Sequence, residues 1–236
     1  MNISAVEESQ RQAARVVGLT YLLVLAPAMF AEFVPAHLVV ANNVAETARN
    51  IVAHERLFRV GIASNLAAFA ADGILITALY VVLRSVNRGL ALLAVFWGLI
   101  ETTILVTVTL NDFDVLRVLS GADYLRAFEA DRLQTLARLS IGAHGTGYQV
   151  GLMFAGLRST VFAYLWLRSG YIPRALAVWG VFSSVVLAVC TFAFVVFPEL
   201  RPLVTVGLYG GPIFLFESAM GCWLLLRGLR PYQATE

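Results

Sequence analysis

ARLSIGAHGTGYQVGLMFAGLRSTVFAYLWL, residues 137–167, decides the fold class. A helix needs about 20 predominantly apolar residues to cross the hydrocarbon core of a bilayer, and this run exceeds that length while carrying His144, Gln149 and Arg158 inside it. Lipid offers no hydrogen bonds to an exposed backbone, so an apolar run of this length must be a helix. Five further stretches read the same way: 14–34, 57–83, 90–110, 174–197 and 204–227. The composition agrees, with 59% hydrophobic residues, 14% charged residues and a mean hydropathy of +0.78. Soluble domains carry about 45–50% apolar and about 25% charged residues. The expectation is an all-α polytopic membrane helix bundle, one integral membrane domain over residues 1–236, with six transmembrane helices.

The connections between the spans set an orientation. All 17 basic residues are arginine. The short turns RSVNRG (84–89) and RSGYIPR (168–174) carry two arginines each and no acid. Arg11 and Arg15 precede the first span, and Arg227 and Arg230 follow the last. The other three connections, with the span ends beside them, hold eight arginines together with eight acids, Glu46, Glu55, Asp112, Asp114, Asp123, Glu129, Asp131 and Glu199. Arginines on short loops beside helix ends weigh most, so both termini are expected in the cytoplasm and the protein in the cell membrane. Segments 43–56 and 123–136 mix charge and apolar residues at helical spacing, which suits amphipathic helices in the outer connections. Ordinary connectors satisfy the same pattern.

The first span has a competing reading. Arg11 and Arg15, then VVGLTYLLVL, then Ala26-Pro27-Ala28 resemble a signal peptide with a small-residue cleavage site. The apolar run continues past that site, and Glu7 and Glu8 do not suit a positive leader, which favours a retained helix kinked at Pro27. Cys190 and Cys222 fall near opposite ends of their helices, so no disulfide is expected. A net charge of +2 gives no basic face for nucleic acid.

Several stretches resemble a known family. LFRVGI (57–62), VNRGLALLA (86–94), LSGADYLRAF (119–128), HGTGYQVGLMFAGL (144–157) and LRSGYIPRALAV (167–178) are similar to the bacterial membrane proteins grouped as domain of unknown function 4386. The resemblance runs from about residue 13 to 228, and the arginine-flanked SGYIPR turn is its most specific piece. It implies a multi-pass membrane protein without an agreed activity and supplies no functional residues, so the site must be read from the chain itself.

An ionisable side chain at the bilayer centre costs about 2.5–3.5 kcal/mol on insertion scales, so such residues turn toward protein or water. The chain places Glu32 in the first span, Asp72 in the second, Glu101 in the third, His144 and Arg158 in the fourth, and Glu217 in the sixth. His144, Tyr148, Gly151, Ala155 and Arg158 share one helical face, beside a ladder of small residues, Ala143, Gly147, Gly151, Ala155 and Ser159. Asn65, Ala68 and Asp72 share a face of the second span, as do Gly210, Phe214, Glu217 and Gly221 of the sixth. A rise of about 1.5 Å per residue puts Glu32 and His144 in the outer part of the membrane and Asp72, Glu101 and Glu217 near its middle, with Arg158 deeper still. Four carboxylates then face one permanent cation. Acids that Arg158 does not pair must be protonated, hydrated or hold a cation.

Glu32, Asp72, Glu101, His144, Tyr148, Arg158 and Glu217 are therefore the candidate ligand- or cation-binding residues. Carboxylates with one imidazole suit a hard divalent cation better than zinc. No H-E-x-x-H, C-x-x-C, G-x-S-x-G or phosphate-binding loop occurs, and His37 and His54 stand alone. Three functions fit: an outward-open polar cavity that binds or conducts a cation, proton or small polar solute; an intramembrane hydrolase acting on a lipid or amide by metal or acid–base chemistry; and a non-catalytic scaffold or accessory subunit. The first is favoured, and Gly210, Gly211 and Pro212 add a helix break just before Glu217, as in many transporters.

Overall fold

The computed structural model describes residues 8–230, apart from the side chains of Glu32, Pro35 and Ala36. Among these residues every regular element is helical: α1 Glu8–Leu38, α2 Val44–Ala53, α3 Glu55–Leu83, α4 Arg88–Val108, α5 Leu110–Val118, α6 Ala130–Ser169, α7 Arg174–Val196, α8 Val206–Tyr209 and α9 Gly211–Leu226. Five stretches are long and apolar enough to cross a membrane, namely Glu8–Ala31, Glu55–Leu83, Arg88–Val118, Ala130–Ser169 and Arg174–Val196. The chain is a multi-pass membrane protein built as a helical bundle.

The sixth expected span, 204–227, is shorter than its apolar run. Gly210 separates α8 from α9, and Pro212 stands in the first turn of α9. Proline is tolerated there because a first-turn amide has no helical partner, whereas in the helix interior its ring would break the ladder. The 16 residues that remain in α9 reach about 24 Å at 1.5 Å per residue, short of a hydrocarbon core of about 30 Å. Elsewhere α1 runs unbroken through Pro27.

The connectors differ from their sequence pattern in an instructive way. In the first, Asn43 caps α2: its Oδ1 accepts from the Glu46 amide at 3.0 Å, and its Nδ2 donates to Glu46 Oε2 at 2.8 Å. The apolar face of α2 turns into protein, with Thr47, Ala48 and Ile51 buried. Segment 123–136 is not a helix of its own. Asp123–Ala127 forms a 3₁₀ turn, and the rest is the opening of α6. Residues 110–118, read as loop, form α5 behind the buried Thr109.

Two compact units divide the chain. The first comprises the described residues up to Leu25, with Ala71–Thr102 and the residues from Val150 onward. Its core joins Val17, Leu79, Val82, Trp166, Leu187, Phe216, Met220 and Leu224. Close helix contacts depend on glycine: a Cβ on Gly18 would stand 3.0 Å from the Gly221 carbonyl oxygen, and one on Gly156 would stand 2.6 Å from the Ala188 amide nitrogen. Without a hydrophobic drive between helices in lipid, such backbone-to-backbone packing supplies the association. The second unit, Ala26–Ala70 with Thr103–Gln149, has its own core of Val34, Leu38, Ile51, Phe58, Ile62, Val115 and Leu116.

One end of the first unit is tied together by Gln10. Its buried amide donates to the Val82 carbonyl at 3.1 Å and to Ser85 Oγ at 2.8 Å, and approaches Tyr171 Oη at 3.5 Å. Ser85 Oγ and Tyr171 Oη are 3.3 Å apart, and the Arg230 amide donates to the Tyr171 carbonyl at 2.9 Å. The start of α1, the α3–α4 turn, the α6–α7 turn and the segment after α9 thus meet. Gly170, at φ +65°, makes the left-handed residue that ends α6, and Ser169 Oγ accepts from the Tyr171 amide at 3.2 Å.

These contacts give a direct test. Gly156→Val must push the backbone of α7 away, and overpacking of this kind costs about 1–3 kcal/mol. Gly142→Ala meets nothing within 4 Å, so it is neutral or stabilising by up to about 1 kcal/mol. Unfolding in detergent micelles separates the two outcomes.

Candidate functional site

Asp72 stands eleven residues before the end of α3 and Arg158 eleven before the end of α6, about 17 Å along each axis. The Gln10 and Tyr171 contacts bring those two helix ends together, so the side chains arrive at one depth. Glu101 reaches it from α4, thirteen residues past Arg88. The result is an ion triplet inside the first unit.

Arg158 Nη1 donates to Asp72 Oδ1 at 2.8 Å, and Nη2 donates to Glu101 Oε1 at 3.3 Å. Arg158 Nε also lies 2.9 Å from Glu101 Oε2, a charge contact whose alignment falls short of a hydrogen bond. Thr102 Oγ1 donates to Asp72 Oδ2 at 3.4 Å. Side-chain exposure is 7% for Arg158, 6% for Glu101 and 15% for Asp72, so this is an interior charge cluster. Guanidinium is suited to it, because its planar fork engages two carboxylates at once.

Gly98 makes room for the cluster. A Cβ there would lie 2.8 Å from Arg158 Cδ and 2.6 Å from Ile76 Cδ1. Gly98 precedes Glu101 by three residues and so shares its helical face, a role that a lone glycine in an apolar run does not announce.

Glu217, on α9, feels the charges of Arg158 and Asp72. Among the described residues it has no hydrogen bond and no ion pair. Tyr21, buried on α1, feels the same three charged residues, Glu217, Arg158 and Asp72. The first unit therefore gathers four of the seven expected residues, Asp72, Glu101, Arg158 and Glu217.

His144 and Tyr148 belong to the second unit. Their rings stack at 5.9 Å between centroids and 14° between planes. His144 Nδ1 stands 3.0 Å from Asp112 Oδ2, with side-chain exposures of 20% and 13%. Sequence reading assigned Asp112 to an outer loop and missed this partner. The signal was present, since Asp112 follows Thr109 by three residues and Val115 and Leu116 follow Asp112 by three and four. Glu32, whose side chain lies outside the described residues, is not placed.

No three His, Cys, Asp or Glu side chains converge on a metal-binding point among the described residues. Between Asp72 and Glu101 the guanidinium takes the position a cation would hold. Chemically, the triplet supplies fixed donors and acceptors in a water-poor setting, with acid in excess of base.

A family model described as Domain of unknown function (DUF4386) matches residues 16–228. No curated protein and no solved structure matches the chain.

Removing the cation should be costly. Breaking a buried ion network by deleting one partner destabilises by about 3–5 kcal/mol, because an uncompensated charge stays behind. Arg158→Met should lose stability of that order in detergent unfolding. Adding Asp72→Asn and Glu101→Gln to it should recover part of the loss, since no bare charge remains.

Proposed function

Since the chain belongs to the DUF4386 family, whose description names no activity, we propose a function from the charge arrangement: the protein binds, and exchanges with solvent, a proton or small cation at the Arg158 cluster. The observation that carries this reading is Glu217, a third acid in the field of a guanidinium already engaged by two, with no hydrogen bond or ion pair of its own among the described residues. Three carboxylates against one guanidinium leave two negative charges uncompensated if all are ionised. Low-dielectric surroundings do not tolerate that excess, so a proton or a cation makes it up. The absence of a three-ligand metal geometry among the described residues turns the reading from a divalent ion toward a proton or monovalent cation. Intramembrane acids that trade protons in this way are the working parts of proton relays and coupled carriers. The arginine-rich short turns support an orientation with both termini inside.

A second reading has its own support. Arg158 joins α3, α4 and α6 through two acids, as a packing clamp would. In that case the cluster specifies which helices pack and nothing passes through it.

The two readings part in one measurement on purified protein. Ion uptake is followed by calorimetry with sodium and potassium chloride, and proton uptake by indicator dye across a pH step. On the binding reading the wild type takes up protons or cations, and Glu217→Gln lowers that uptake by about one per chain while leaving the Arg158 triplet and the melting temperature nearly unchanged. Equal uptake in wild type and Glu217→Gln, with Glu101→Gln altering only stability, would leave the clamp as the function of the cluster.

A further inference from the structure

The arginines of the two units are used differently. In the second unit four of them pair with acids on their own helical turns: Arg59 with Glu55, Arg117 with Asp114, Arg126 with Asp123 and Arg132 with Glu129. In the first unit Arg84 and Arg88 flank the α3–α4 turn, Arg168 and Arg174 flank the α6–α7 turn, and Arg227 and Arg230 follow α9. All six are exposed, and none makes an ion pair among the described residues. The hydrogen bonds of Gln10 and Tyr171 bring these turns to one end of the unit, so the six form a rim. The one acid described near this rim, Glu8, is exposed at the start of α1.

Aromatic side chains mark the level of the rim. Arg168 Nη1 donates to the hydroxyl of the half-exposed Tyr164 at 3.3 Å, and the Arg230 guanidinium lies 5.0 Å over the Trp223 ring. Tyrosine and tryptophan gather where hydrocarbon meets headgroups. Guanidinium engages phosphate oxygens in pairs, and a rim of unpaired guanidinium groups at that level has phosphate as its natural counter-ion.

From this arrangement we propose that the arginine rim of the first unit is a binding surface for anionic phospholipid headgroups. The phosphate of the lipid supplies the charge that no side chain of the rim provides, and its acyl chains lie along apolar residues just above, such as the exposed Leu225 and Leu226. Juxtamembrane basic clusters recognise anionic lipids on this basis.

The test compares lipid retention in nanodiscs, where both membrane faces are accessible. Wild type should hold phosphatidylglycerol through detergent washing, read by native mass spectrometry, and should release phosphatidylcholine. Combined Arg84→Gln, Arg88→Gln, Arg168→Gln and Arg174→Gln should cut retention roughly tenfold or more. Combined Arg59→Gln, Arg117→Gln, Arg126→Gln and Arg132→Gln should leave it within about twofold, since those arginines already have partners. Equal retention of the two lipids, or equal loss in the two variants, overturns the proposal. Displacement of phosphatidylglycerol by an equal concentration of inorganic phosphate overturns it too, in favour of a free-phosphate site. Should the glutamine set fail to fold, wild type decides alone: retention that falls as sodium chloride rises supports the proposal, and salt-independent retention refutes it.

Discussion

A guanidinium buried in an apolar helix bundle constrains everything around it. Arg158 cannot be left bare in that setting, so α3 and α4 must each present a carboxylate at its depth. Gly98 must then be small, because the Arg158 stem fills the space where a Cβ would stand. That one charge ties the register of α3, α4 and α6 to one another. Lipid-facing apolar surface gives helices no preferred rotation, whereas a buried ion pair does.

The same physics separates this arginine from those at the surface. Arginines on the turns of the first unit lie exposed and make no ion pair among the described residues. Four of those in the second unit sit in i,i+3 or i,i+4 pairs with exposures from 45% to 88%, where each pair is worth about 0–1 kcal/mol. Depth decides whether pairing is required or optional. Gln10 performs a similar task without charge, since its buried amide satisfies a helix-end carbonyl and joins two turns through Ser85 and Tyr171.

The charged residues of the first unit were legible in the sequence. Asp72, Glu101, Arg158 and Glu217 stand out because each interrupts an apolar run. The rise per residue puts the three acids near the middle and Arg158 deeper, whereas the structure brings Arg158 to the level of Asp72 and Glu101. His144 stood out for the same reason, but its neighbour did not. Asp112 lies in a polar stretch, NDFD, where an acid excites no notice, and only the formation of α5 carries it to His144. Gly98 was hidden by the opposite effect, since small residues are common in membrane helices. The break at Gly210 was legible, while the resulting shortness of α9 was not.

Sequence by itself determined that the chain is helical and membrane-spanning, which residues lie in apolar surroundings, and that acids outnumber bases among them. Those properties follow from local composition and helical period, which need no partner to be evaluated. Tertiary structure alone decided which acid meets which base. Asp72 and Glu101 face Arg158 across sequence separations of 86 and 57 residues, and helix rotation and register, fixed only when glycines let backbones close together, set those meetings.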